Sequence, residues 1–291
     1  MKTRTTNQLK VRILTGLALL ILMSWLNPAY AQRHGSVDQY LKTLPSDLEL
    51  KEPAPQKYLM TAVYYNKDIY GNFSDKTQVS GEYTRGLDDG YVKWNNIRIA
   101  GSNQLDGIFP EGQLQEYMED FRYKPSVDMV GESAFAGFPV NNPYEFHAKN
   151  LVWDMMGFEA FAWVYYDSLQ LNHYFAPAGL KGKVDLAGSG NFENKNIQLN
   201  WAGITKMNGE LCAIIQFLAM DNPLEINSEI NGMEISIKGR SHYWGHVQVS
   251  LEDKQIEGAI LHEDVVMDMN IPGIQNGLVN TTRELKLEKL N

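Results

Sequence analysis

Two imidazoles, an indole, a guanidinium and an amide occupy every second position of one segment: Arg240, His242, Trp244, His246 and Gln248. Alternate residues of a strand share a face. The spacing therefore predicts a polar, partly aromatic face here, with Ile235, Ile237, Tyr243, Val247 and Val249 on the reverse. The segment Glu234–Ser250 reads as one arm of a hairpin with Lys254–Asn270, joined around Glu252-Asp253. A two-residue turn there sets His242 opposite Glu263, Trp244 opposite Leu261 and His246 opposite Ala259, whereas a three-residue turn sets His242 opposite Asp264. Either register brings an imidazole against a carboxylate, a combination that carries protons or ligates metal. It is equally an ordinary cross-strand polar pair. His242 and His246 lie about 13 Å apart at about 3.3 Å per residue, too far to share one ion, so no metal site is expected.

A second group gathers Glu145, His147, Lys149, Asp154 and Glu159 among Trp153, Phe158, Phe161 and Trp163. Two carboxylates in an aromatic setting are the equipment of a glycoside hydrolase, with rings that stack on sugars. Asp154 and Glu159 are five apart, however. That spacing diverges around a helix and falls on opposite faces of a strand, so these two do not make the pair by themselves. The ligand-binding candidates are accordingly Arg240, His242, Trp244, His246 and Glu263 from the hairpin, with Trp153 and Trp163 from the aromatic stretch. G-x-S-x-G, H-E-x-x-H, P-loop and C-x-x-C patterns are missing from the sequence, so no catalytic residue is assigned and no cofactor is expected.

The elements that position these residues are mostly strands. Leu59–Tyr65, Gln78–Thr84 and Gly90–Ala100 are rich in β-branched and aromatic residues between turn residues. Asn196–Lys206 and Glu210–Met220 flank Asn208-Gly209, a pair suited to positive φ at both centres of a type I′ turn. That turn sets Trp201 opposite Gln216 and Leu199 opposite Leu218. Thr281–Leu290 supplies a last strand. Helices are expected over Ser36–Leu44, over Gln113–Phe121, where Leu114, Tyr117, Met118 and Phe121 share a face, and over Asn150–Leu169, where Met and Ala outweigh an equally good strand alternation. Residues 124–146 read as loop. About nine strands without a βαβ rhythm predict a mainly β, antiparallel, curved sheet, a barrel or half-barrel, with two or three helices.

The first 31 residues carry an address. Lys2, Arg4, Lys10 and Arg12 precede the apolar run Ile13–Leu26 and then Ala29-Tyr30-Ala31, the form of a secretory signal with an A-x-A cleavage site. The expected layout is a signal peptide over 1–31, a helix and linker over 32–56, and one β-rich domain over 57–291. Gln32 rather than Cys follows the cut, so no lipid attachment is expected there. Removing the leader takes away four positive charges and moves the formal charge from −9 to −13. An acidic chain is a poor partner for nucleic acid or for an anionic membrane surface. The lone Cys212, in an apolar run, reads as a buried, inert thiol.

These observations lead to an exported, soluble binding protein, periplasmic or extracellular, that is not embedded in a membrane and holds an apolar or amphipathic small molecule in a curved-sheet cavity; Met267 and Met269 suit such a lining. The alternatives are a secreted carbohydrate-active hydrolase using the carboxylates of 145–159, and an envelope assembly protein that recognises a protein partner.

Overall fold

The computed structural model describes Tyr40 and residues 42–126, 131–139, 142, 144–230, 233–270 and 277–290. The basic N-terminal segment, the cleavage site expected after it and most of the expected Ser36–Leu44 helix lie outside the described residues.

Twelve strands form one antiparallel sheet: β1 (Gln56–Asp68), β2 (Phe73–Arg85), β3 (Val92–Ser102), β4 (Gln113–Leu114), β5 (Phe121–Tyr123), β6 (Gly182–Asp185), β7 (Gly190–Asn194), β8 (Ile197–Met207), β9 (Glu210–Ile230), β10 (Met233–Ser250), β11 (Ile256–Asn270) and β12 (Gly277–Leu290). The order is β4-β3-β2-β1-β12-β11-β10-β9-β7-β6, with β5 also on β3 and β8 also on β9. The first and last strands of that order do not pair, so the sheet is curved and open rather than a closed barrel. Among the described residues one long helix, α1 (Glu145–Glu159), continues into a π turn at Ala160–Val164 and a 3-10 turn at Tyr166–Ser168.

The helix expected at Gln113–Phe121 is instead strand, 3-10 turn, strand. Gln113 pairs with Ile99 and Phe121 with Trp94, so the outer edge of β3 takes this segment, and a one-turn helix suffices to bury Met118. The short strands β4, β5, β6 and β7 bring the count among the described residues to twelve, against about nine expected.

Both long hairpins begin in the register their turns dictate and leave it at a bulge. Asn208 (φ 49°) and Gly209 (φ 95°) make the expected turn, with Met207 opposite Glu210. An extra residue between Trp201 and Gly203 then sets Trp201 opposite Ile215 and Leu199 opposite Phe217, in place of Gln216 and Leu218. In the second hairpin Val249 pairs with Ile256, and the shift beyond Gln248 leaves Glu257 as the added residue. From there His242 faces Asp264, Trp244 faces His262 and His246 faces Ile260. One inserted residue exchanges the faces of everything beyond it.

One sheet face carries the core. Met60, Ala62, Val79, Tyr83, Phe217, Leu261, Leu285 and Leu287 are buried, as are Leu151, Val152, Met155 and Phe158 of α1. Contact is direct: the Phe158 and Phe217 rings are 6.1 Å apart, and Phe161 stacks on Phe217 at 4.7 Å. Gly81 leaves room for Leu151 of α1 over β2, since a Cβ there would meet Ile97 Cδ1 at 2.2 Å and Leu151 Cδ1 at 3.4 Å. Cys212 is fully buried, and burial pushes its thiol up to about 12.

Candidate functional site

Beneath α1 the sheet carries charge. The Arg283 guanidinium on β12 donates to both Asp154 oxygens, Nη1 at 2.7 Å and Nη2 at 3.0 Å. Its Nε lies 2.8 Å from Glu263 Oε2 on β11 as an ion pair that misses hydrogen-bond alignment. Ser241 Oγ donates to the other Glu263 oxygen at 2.5 Å. The Tyr64 hydroxyl accepts from Arg283 and from Asn150, at 3.4 Å each. Two largely buried carboxylates thus share one guanidinium. Burial pushes Asp154 up to about 6, with Arg283 opposing the rise and the Glu263 charge adding to it.

A second clamp holds the end of α1. Glu159 accepts from the Tyr83 hydroxyl and from Arg85 Nη1, each at 2.5 Å, and Arg85 also pairs with Glu52. Burial raises Glu159, against the pull of Arg85. Trp163 stacks under the Arg85 guanidinium at 4.3 Å and donates its Nε1–H to the Lys254 carbonyl at 2.8 Å. Trp153 sits in an aromatic cluster, 5.8 Å from the Phe135 ring and 6.1 Å from Phe146. Asp154 and Glu159 are therefore both turned to the sheet, but onto arginines of β12 and β2, with β1 between them. This arrangement fastens a helix rather than facing two carboxylates across a sugar. The arginines are what sequence reasoning missed, since nothing local marks positions 85 and 283 as partners of 159 and 154.

Arg240, His242, Trp244 and His246 occupy the face away from α1, while Glu263 faces Tyr243 and belongs to the buried cluster. Trp244 is 42% exposed and stacks on His262 at 5.9 Å. His242 Nδ1 accepts the Asp221 amide at 2.9 Å, where β9 bulges. His246 Nε2 and Gln248 Nε2 are 3.0 Å apart. Partial burial, with His262 nearby, lowers the pKa of His246. Among the described residues no three His, Cys, Asp or Glu side chains stand close enough to hold a metal ion.

Arg240 also borders a groove of about 490 Å³ on that outer face, across β6, β7, β9, β10, β11 and β12. Its rows follow the register: Asn191, Glu225, Lys238, Asp268 and Leu278 in one, Pro223, Arg240 and Val266 in the next. Val266 and Leu278, 46% and 48% exposed, give it apolar ground. Lys238 pairs with Glu225 at 3.4 Å and Arg240 with Asp221 at 3.5 Å. Lys183 and Glu193 face each other at the far wall. A volume of this size, apolar underneath with a few charges of both signs, suits an amphipathic small molecule.

No family model and no curated protein matches the chain. Among solved structures, a candidate ATTH protein of Nitrosomonas europaea is similar at 5% identity and a TM-score of 0.18, over 83% of this chain and 98% of that one. A DUF1329 family protein of Desulfovibrio piger is similar at 9% identity and a TM-score of 0.14, over 81% and 86%. Likeness at this level does not define a shared fold. Among the described residues no helix is long and apolar enough to cross a membrane.

Proposed function

We propose that this chain is an exported binding protein and that the outer groove holds an amphipathic ligand, an acyl chain bearing a charged head group. The observation that supports this reading is the groove's pairing of half-exposed Val266 and Leu278 with cations and anions in fixed cross-strand rows. Lys183, Lys238 and Arg240 suit a phosphate or carboxylate, and Glu193 and Asp268 suit an ammonium. The apolar ground then takes the first part of the chain.

Titration of the full chain with a fluorescent lysophosphatidylcholine tests the reading. Saturable binding is expected, weakened about tenfold by Leu278→Asp, since one buried aliphatic side chain carries energy of that order. Val266 and Leu278 are both well exposed, so their substitution leaves the core intact. An absence of saturable binding, or affinity unchanged in Leu278→Asp and Val266→Asp alike, refutes it.

A further inference from the structure

Four large apolar side chains stand in water on two neighbouring loops at one end of the sheet. Ile69 and Tyr70 form the β1–β2 turn, and Leu105 and Ile108 lie in the β3–β4 loop. Tyr70 is 83% exposed and Ile108 96%. A lone exposed apolar residue is unremarkable, but a group of them on adjacent tips marks a contact surface.

The loops are braced from within. The Asp68 carboxylate accepts the Tyr70 and Asn72 amides, each at 2.9 Å, and the Asn72 side-chain amide at 2.7 Å. Lys76, almost fully buried on β2, donates its Nζ to the carbonyls of Leu105 at 2.8 Å and Gly107 at 2.6 Å, with the Phe109 ring at 4.6 Å. A buried ammonium capped by two carbonyls ties the second loop to the strand that begins at the first. Tyr70 and Ile108 are thus presented on stiff mounts, which lowers the ordering cost of docking.

We infer that this edge docks on the surface of a zwitterionic lipid bilayer. A tyrosine with its ring at head-group level and isoleucines reaching the acyl boundary are the side chains such an interface accepts. The local charges are Lys67 and Lys76 against Asp68, Asp75, Asp106 and Glu111, so attraction to anionic lipid plays no part. The position also fits: Asp68 pairs with Val279, which puts the β1–β2 tip one residue from Leu278 at the groove. The inference extends the carrier reading by naming where the ligand is collected, yet different residues carry it.

Flotation of the full chain with phosphatidylcholine vesicles tests it. The protein is expected to float with them, equally at low and high salt and no better with phosphatidylglycerol. Tyr70→Asp and Ile108→Asp should each weaken partition about tenfold. Ile108→Trp should show an emission blue shift on adding vesicles. A wild-type chain that stays in solution with every vesicle overturns the inference, as does flotation that survives both aspartates. Binding of monomeric lysophosphatidylcholine is the separate readout: the tip variants should keep it, and Leu278→Asp should weaken it about tenfold while still floating.

Discussion

Asp154 and Glu263 approach the same Arg283 guanidinium from two sides, the first from the helix above and the second from the neighbouring strand. The cluster is one cation short of neutral. Removing Arg283 therefore leaves two buried carboxylates facing each other, whereas neutralising Asp154 leaves one balanced pair. Arg283→Met is expected to cost about 3–5 kcal/mol in denaturant unfolding, the range for a buried charge stripped of its partner. Asp154→Asn should cost about 1 kcal/mol or less, the scale of one weakened hydrogen bond. Equal losses would contradict this account.

The pH dependence follows from the same cluster. Asp154 titrates near 3.8 unfolded and about 6 folded, so between those values the folded chain holds the extra proton. Stability from this group is complete below 3.8 and is lost as pH rises through about 6. Unfolding free energies for wild type and Asp154→Asn across that window should diverge, with only the wild type carrying this downward slope. Parallel curves would place the carboxyl at its ordinary value.

Gly190 tests how the groove is built. It holds φ 147°, and a Cβ there would lie 2.0 Å from the Glu225 carbonyl oxygen. Gly190→Ala must push β7 off β9 and so displace Asn191 and Glu193. Loss of lysophosphatidylcholine binding is expected with a stability decrease of about 1–3 kcal/mol. Retained affinity would mean that β6 and β7 are not part of the site.

Two tryptophans separate core from surface. Trp201 is fully buried, and its Nε1–H donates to the Gly203 carbonyl at 2.8 Å across the bulge. Trp201→Ala should cost about 3–5 kcal/mol, and Trp244→Ala within about 0.5 kcal/mol. Urea unfolding of the two variants reads the difference directly.

The hairpins show how far sequence alone reaches. Asn208-Gly209 and the Glu252-Asp253 turn were legible because turn chemistry is local, and the registers beside them follow. The bulges past Trp201 and Gln248 set Trp201 beside Leu171 and Glu257 beside Asn208 and Lys289, partners distant in sequence that no local pattern records. Hence Arg240, His242, Trp244 and His246 fall together as their spacing implies, while Glu263, across the bulge, joins the other face. Residues 150–159 are helical, as Met and Ala content favoured where periodicity alone left strand open, whereas Leu114 and Phe121 satisfied a helical pattern while pairing with β3. The ion cluster was invisible for another reason: Asp154 and Arg283 are 129 positions apart.

An unclosed sheet has two flanks, and here they are short or interrupted. Gly182–Asp185 is four residues long and Gln113–Leu114 only two, while the longer outer strand β8 is bridged at Leu199 and Trp201 by Phe175 and Leu171. Strand-on-strand pairing with a neighbouring molecule is thereby confined to short stretches. Flanks interrupted in this way work against growth into fibres.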